Sequence, residues 1–164
     1  MKKILVIGMS GSGKSTLAIK LGKKINLPVI HLDNLFYKSR NETITKGEWN
    51  KKVARLVKRK EWIMDGYYPR TLDIRLKAAD TVIFLDLPKW ITIPRLIKAG
   101  IDGVRNGRVG QPEFLKTRLS GTLFRKVVSF SEKKLIAKLS EYPDKKVIII
   151  KTNDQIQKFL QSLS

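Results

Sequence analysis

The sequence predicts a single α/β domain in which helices cover both faces of a five-stranded parallel sheet. Three observations lead to this expectation: short apolar runs without alternation, helical patterns between those runs, and a length of 164 residues with 42% hydrophobic residues. Chains of this size ordinarily form one core, and strands buried on both faces read as continuous apolar runs. We therefore expect a three-layer domain over residues 1–164 with right-handed crossovers between its strands.

Five segments have the composition of buried strands. The strongest are short runs of β-branched and aliphatic residues, and the weaker ones each end just before an aspartate. The five segments are residues 4–7, 28–32, 62–64, 82–85 and 147–150. Their length and their spacing along the chain are typical of alternating strand and helix units.

Helical patterns lie between the predicted strands. Leu17, Leu21 and Ile25 recur at a spacing of four, which places them on one face of a helix, and residues 49–57 and 156–163 carry similar patterns. Three helix starts have the capping box, in which Ser or Thr is followed three residues later by Glu or Gln. These boxes begin at Thr45, Ser129 and Thr152.

The region around residue 100 interrupts the alternation of strands and helices. Residues 100–112 are predicted to form a short mobile lid, because four glycines fall within this stretch. Helices are expected at about 112–125 and 130–139, and Pro143 should end the second. Pro94 is expected in the first turn of a preceding helix, since a proline deeper in a helix removes a backbone hydrogen bond.

Charge and cysteine content limit the class of protein. The net charge of +20 should attract polyanions or phosphorylated small molecules, and the absence of cysteine excludes disulfides and thiolate metal sites. The apolar run after Met1 is short and interrupted by glycine, unlike a secretory signal, and no stretch approaches the ~20 apolar residues of a membrane span. We therefore expect a cytoplasmic protein without a membrane partner.

Residues 8–15 read Gly-Met-Ser-Gly-Ser-Gly-Lys-Ser and match the phosphate-binding loop pattern at every fixed position. They follow a predicted strand and precede a predicted helix, so converging backbone amides should bind the phosphates of ATP beside the helix N-terminus. Lys14 is expected to contact the β- and γ-phosphates, and Ser15 to ligate Mg²⁺. The alternative is an ordinary glycine-rich turn. The predicted phosphate-binding residues are Gly8, Ser10, Gly11, Ser12, Gly13, Lys14, Ser15 and Thr16.

Three aspartates follow predicted strands, at the edge where ligands of parallel sheets bind. We expect Asp33 to orient or deprotonate an acceptor hydroxyl, and Asp65 to hold Mg²⁺ with Ser15 and to contact the substrate. The alternative is that they are helix caps or turn formers, which is the interpretation we prefer for Asp86. His31, the only histidine, is expected to be structural.

Arginines can neutralise the charge of a transferring phosphoryl group. Arg105 and Arg108 lie in the predicted lid, so we expect them to close over that group together with Lys14. Arg70 and Arg75 follow the third predicted strand and are candidate substrate ligands. In a chain this basic, solvated surface arginines are the alternative.

Several segments together resemble one family of proteins. They are the phosphate-binding loop and the stretches 31–37, 62–67, 71–75 and 79–86, which are similar to small adenylate-kinase-related proteins labelled DNA topology modulation proteins, or FlaR-like. The resemblance implies the P-loop NTPase fold of the nucleotide kinase branch, with an arginine-bearing lid. Residues 65–70 also resemble the Asp-Gly-aromatic-Pro-Arg segment of adenylate kinases, with one extra residue, which implies that Arg70 binds an acceptor phosphate. Asp33 similarly resembles the strand-end aspartate of small-metabolite kinases.

The sequence thus predicts an ATP- and Mg²⁺-dependent kinase acting on a small nucleoside, nucleotide or related metabolite. The alternative is an ATP-binding regulatory protein associated with nucleic acid, acting in DNA topology modulation with little or no kinase activity. In that case the basic residues of 51–60 would grip a nucleic-acid backbone without sequence preference. A third hypothesis is a kinase fold that binds nucleotide without catalysis. The sequence favours no particular oligomeric state.

Overall fold

A computed structural model describes residues 1–36, 44–105 and 130–163, with the backbone alone over 99–105. Five strands form one sheet in the order β2-β3-β1-β4-β5, and every neighbouring pair is parallel. The strands are β1 (Lys3–Gly8), β2 (Val29–His31), β3 (Trp62–Asp65), β4 (Thr81–Leu85) and β5 (Lys146–Ile150). The predicted five-stranded parallel sheet is confirmed.

Helices connect the strands and lie on both faces of the sheet. They are α1 (Lys14–Ile25), α2 (Leu32–Phe36), α3 (Lys46–Leu56), α4 (Leu72–Ala78), α5 (Lys89–Arg105), α6 (Glu132–Ser140) and α7 (Asn153–Gln161), with a 3-10 turn at Pro69–Thr71. Because parallel strands need a crossover between them, the helical segments between consecutive strands return the chain to the edge where the next strand begins. No helix among the described residues is long and apolar enough to span a bilayer.

The central strands are apolar throughout because both of their faces are buried. On β1, Leu5 and Ile7 belong to a core with residues of α3, α4 and α6, whereas Ile4 and Val6 belong to a second core with residues of α1 and α7. All four side chains are inaccessible to solvent. The sheet therefore separates two hydrophobic cores, as a three-layer domain requires.

Strand β5 departs from the expectation of burial on both faces. Its Val147 and Ile149 side chains are 37% and 42% exposed, although Ile150 is buried against the second core. The reason is position, because β5 lies at the end of the strand order and pairs only with β4. An apolar run in the sequence does not distinguish an edge strand from a central one.

The predicted helix starts are confirmed at two of three places. The hydroxyl of Thr45 accepts from the amide of Glu48 at 3.3 Å, and the Glu48 carboxylate accepts from the amide of Thr45 at 3.1 Å. Thr152 caps α7 through its hydroxyl in the same way. Helix α6 is capped by Ser131 rather than Ser129, which lies outside the described residues. The prediction there was wrong by two residues because more than one serine precedes the helix.

Helix α5 is longer than the sequence predicts. It begins at Lys89 and continues through residues 100–105, so the first part of the predicted lid is helical, and Pro94 lies inside the helix rather than in its first turn. Pro94 is exposed, so water can hydrate the carbonyl that loses its intrahelical partner. Two glycines lower the helix propensity of such a segment without abolishing it. The rest of the predicted lid, 106–112, and the predicted helix 112–125 lie outside the described residues.

Candidate active site

The loop between β1 and α1 contains three positions whose backbone angles favour glycine. Gly8, Gly11 and Gly13 have φ angles of 147°, 82° and 90°. A Cβ atom on Gly8 would lie 2.4 Å from the Leu85 carbonyl oxygen, and one on Gly11 would lie 2.3 Å from the Thr92 carbonyl oxygen. The loop is therefore packed directly against the main chain at the end of β4 and in α5, which fixes its curvature.

The groups around this loop are arranged for an anion. Gly13 caps α1 without a side chain, and no acidic residue lies in the first turn, so the positive end of the helix dipole is not neutralised there. The ammonium of Lys14 donates to the Met9 carbonyl oxygen at 2.8 Å, which lays it across the loop. Ser12 is fully buried, and its hydroxyl has no partner within the described part of the chain. Backbone amides, an ammonium and a hydroxyl are hydrogen-bond donors, and phosphate oxygens accept hydrogen bonds from such groups.

Ser15, Asp65 and His31 form a chain of hydrogen bonds beside the loop. The Ser15 hydroxyl donates to Oδ2 of Asp65, and Nδ1 of His31 lies 2.7 Å from Oδ1 of the same carboxylate. Asp65 ends β3 and is only 4% exposed. Because an ionised carboxylate only accepts hydrogen bonds, the Nδ1 atom carries the proton. The sequence paired Ser15 with Asp65, and the structure brings them together. It did not identify His31 as a member of the site.

This oxygen pair fits Mg²⁺. Hydroxyl and carboxylate oxygens are ligands that this ion prefers, and with nucleotides it commonly takes one or two protein ligands and completes its shell with phosphate oxygens and water. Among the residues described here, no group of three or more His, Cys, Asp or Glu side chains could hold a metal by itself. The residues Ser15 and Asp65 thus match an ion that binds together with a nucleotide.

Asp33 and an aromatic cluster lie at the end of the neighbouring strand. Asp33 is in α2, directly after β2, and its Oδ1 accepts from the Tyr68 hydroxyl at 2.6 Å. The Tyr68 ring lies 5.2 Å from the ring of Phe36 and 5.0 Å from that of Trp49. Oδ2 of Asp33 has no hydrogen-bond partner among the described residues. This carboxylate is thus held by one oxygen and leaves the other available.

Arg75 does not occupy the position of a substrate ligand. It is fully buried, and its guanidinium donates to the carbonyl oxygens of Gly66, Tyr68 and Thr71 at 2.9, 2.9 and 3.2 Å. Burial lowers the pKa of Arg75 to about 10, so the group remains charged at neutral pH. The expectation that Arg75 binds a substrate is corrected: its donors are used to hold the segment that follows β3.

The remaining predicted site residues lie in different surroundings. Arg70 is exposed on the 3-10 turn that follows β3, and Thr16 is exposed in the first turn of α1. Ser10 is partly buried within the loop. Arg105 is the last residue of α5, where only the backbone is described, and Arg108 lies outside the described residues. Their proposed roles stay predictions.

Asp86 follows β4 at the same edge of the sheet. Its amide donates to the Ile150 carbonyl oxygen at 2.8 Å, and its carboxylate lies 3.7 Å from the ammonium of Lys151. Burial, followed by the nearby carboxylate of Glu132, raises the pKa of Asp86. These contacts attach the end of β4 to β5 and to the segment after it.

Three solved structures share the fold of this chain over nearly its whole length. They are a shikimate kinase from Acinetobacter baumannii in complex with shikimate (TM-score 0.59, 20% identity, 99% of this chain and 93% of that one), a gluconokinase from Sinorhizobium meliloti 1021 (TM-score 0.58, 16% identity, 99% and 89%) and a sugar kinase from Janibacter sp. HTCC2649 (TM-score 0.55, 17% identity, 98% and 93%). No protein-family model and no curated protein matches the sequence.

At these identities the likeness shows the fold alone. It confirms the predicted three-layer P-loop NTPase fold, with a five-stranded parallel sheet between layers of helices. The narrower resemblance to DNA topology modulation proteins stays a prediction.

Proposed function

We propose that this chain is an ATP- and Mg²⁺-dependent phosphotransferase whose acceptor is a small hydroxyl-bearing metabolite. The observation that carries the proposal is the hydrogen bond between Ser15, at the start of α1, and Asp65, at the end of the adjacent strand β3. It joins a phosphate-binding loop to a buried carboxylate. Phosphoryl transfer depends mainly on positioning the donor and neutralising its charge, and this pair serves both requirements.

The donor side consists of the loop and the residues that line it. ATP phosphates would accept hydrogen bonds from the loop amides, and Lys14 would exchange the Met9 carbonyl for phosphate oxygens. Ser15 would hold Mg²⁺ together with Asp65, either directly or through water. When bound, the ion neutralises charge on the β- and γ-phosphates. Arg105 and Arg108 would add positive charge over the transferring group.

The acceptor side is centred on Asp33. Its unpartnered Oδ2 is available to accept the proton of an acceptor hydroxyl, while the Tyr68 hydroxyl fixes the other oxygen. Phe36 and Tyr68 pack against each other and against Trp49 next to this carboxylate. Aromatic surroundings favour a ring-bearing acceptor, such as a nucleoside, a nucleotide or a related metabolite. Arg70 would contact a phosphate on such an acceptor.

The similar structures widen the range of acceptors that should be tested. They are a sugar kinase, a gluconokinase and a shikimate kinase, and sugars, gluconate and shikimate all carry hydroxyl groups. An acceptor screen should therefore include sugars, sugar acids and cyclic hydroxy acids besides nucleosides and nucleoside monophosphates.

The proposal is tested by a phosphate-transfer screen with ATP and Mg²⁺ that detects the phosphorylated acceptor by mass. The Lys14→Ala variant should lose about 10²–10³-fold in turnover, because it removes a charge that stabilises the transition state. Lys20→Ala is the matched control, since Lys20 is exposed on the same helix. Asp33→Asn should retain ATP binding but lose transfer. Transfer by Lys14→Ala at the wild-type rate, or no phosphorylated product from any acceptor, would contradict the proposal.

A second candidate function is non-specific binding of nucleic acid, and the observation that favours it is a group of basic residues at the opposite edge of the sheet. Lys2 precedes β1, Lys146 begins β5, and the ammonium of Lys145 lies 3.3 Å from the carbonyl oxygen of Lys77. The basic stretch 58–60 precedes β3 at the same edge. Affinity for duplex DNA should fall steeply with salt if several phosphates are neutralised. A flat response would argue against this candidate.

A further inference from the structure

We infer that His31 is a positioning residue for the Ser15–Asp65 pair and sets how strongly the chain binds Mg²⁺ with ATP. The inference rests on the proposed function and adds a residue to it. His31 contacts neither Ser15 nor the loop by any hydrogen bond found in the described part of the chain. Its influence is exerted through Asp65, which it holds from the side opposite to Ser15.

The sheet register places the two side chains together. His31 and Asp65 are paired residues of the parallel strands β2 and β3, so they lie side by side on one face of the sheet. That face is covered by α1, since the neighbouring residues Val29 and Ile63 belong to the core that includes residues of this helix. Ser15 belongs to the first turn of the same helix. The contact between His31 and Asp65 is thus a result of the strand pairing and not of a flexible approach.

The two hydrogen bonds use both oxygens of the carboxylate. Oδ1 receives the Nδ1 proton of His31, and Oδ2 receives the hydroxyl proton of Ser15. With its proton directed to Asp65, the Ser15 oxygen keeps its lone pairs for a cation. Without His31, the carboxylate can rotate about its last bond, and a buried oxygen is left without a partner. Groups that orient metal ligands in this way typically change metal affinity by about 10- to 100-fold.

His31 can be replaced without removing core packing. Its side chain is 27% exposed, whereas that of Asp65 is 5% exposed, so substitution of the histidine leaves the buried residue in place. His31→Phe keeps a ring of similar shape and removes the donor. His31→Asn places an amide N–H close to the position of Nδ1, which makes it the conservative variant that should restore the bond.

The test is calorimetric titration of ATP into the folded protein, once with Mg²⁺ and once with a chelator. In His31→Phe the gain in ATP affinity that Mg²⁺ produces should fall by about tenfold or more, and His31→Asn should recover most of it. Affinity in the presence of the chelator should be the same in all variants. Tyr142→Phe is the control, because it removes a bond of equal length, 2.7 Å to Asp73, remote from the loop.

Five outcomes decide the question. The inference is supported if His31→Phe alone loses the effect of Mg²⁺. It is overturned if His31→Phe keeps the wild-type effect, or if this variant loses affinity equally with and without Mg²⁺, since the loop itself is then damaged. Wild-type protein that binds ATP without any gain from Mg²⁺ overturns the inference and leaves the phosphate-binding loop intact. Wild-type protein that binds no ATP at all refutes the proposed function itself.

Discussion

Replacing Arg75 by methionine should destabilise the fold. Each of the three bonds from the guanidinium to a carbonyl oxygen contributes on the order of 1.5–3 kcal/mol. Burial opposes them, because lowering the pKa of the guanidinium to about 10 disfavours the cation by on the order of 3 kcal/mol. The difference predicts that the free energy of unfolding falls by about 2–6 kcal/mol in Arg75→Met, which keeps an apolar stem of similar length.

Urea unfolding followed by circular dichroism measures this loss directly. Arg95→Met is the matched control, because Arg95 is exposed and makes one 3.1 Å bond to Asn153, so its unfolding free energy should change by less than about 0.5 kcal/mol. If Arg75 were a substrate ligand instead, its loss would weaken acceptor binding and leave stability unchanged. An unfolding free energy of Arg75→Met within about 1 kcal/mol of wild type would refute the structural role.

Two further predictions concern the loop and the surface. Gly11→Ala should unfold more easily and lose ATP binding, because the φ angle of Gly11 is 82° and the new Cβ would lie 2.3 Å from the Thr92 carbonyl oxygen. In Gly47→Ala the new Cβ meets nothing within 4 Å, so the free energy of unfolding in urea should rise by about 0.5–1 kcal/mol. Equal stability of the two variants would contradict this. The Lys138 ammonium, 2.6 Å away, holds the pKa of Asp73 below its ordinary value. The ionised Asp73 carboxylate therefore stabilises the folded state fully above the ordinary pKa of an aspartate, and this contribution is lost as the pH falls through the lowered pKa. The urea midpoint of wild type should therefore exceed that of Asp73→Asn at pH 7. If the same difference between the two midpoints persisted at about pH 2, ionisation of Asp73 would not be the source of the stabilisation.

The features that the sequence predicted correctly depend on requirements that act on single residues, on the composition of one segment or on near neighbours in the chain. The capping box at Thr45 joins residues three apart, and strand composition reflects burial on both faces of a sheet. The tight turn between β1 and α1 was also predictable, because Gly8 and Gly11 have positive φ angles that favour glycine; its binding of phosphate stays a prediction. In each case a physical requirement restricts which residue types can occupy the position, so the structural feature can be predicted from the sequence.

The features that were missed depend on contacts between distant residues. His31 meets Asp65 across 34 positions, and Tyr68 meets Asp33 across 35, so no local pattern marks either pair. For Arg75 a signal was present. It lies one position before Leu76 and three after Leu72, two buried residues of α4, so the periodicity of the helix already turns this arginine inward.

The segment after β3 connects the two sides of the proposed site. Asp65 ends β3 and bonds to Ser15 on the donor side, whereas Tyr68, three residues later, bonds to Asp33 on the acceptor side. Arg75 donates to the carbonyl oxygens of Gly66 and Tyr68. Gly66 lies between the two contacts along the chain, and Tyr68 makes the second of them. Since Asp65 is also fixed by pairing with β1 and β2, a change at Arg75 should reach Tyr68 and Asp33 before it reaches the loop. The buried Arg75 thus helps to position the Asp33 carboxylate through Tyr68, whereas the pairing of β3 with β1 and β2 positions Asp65 independently.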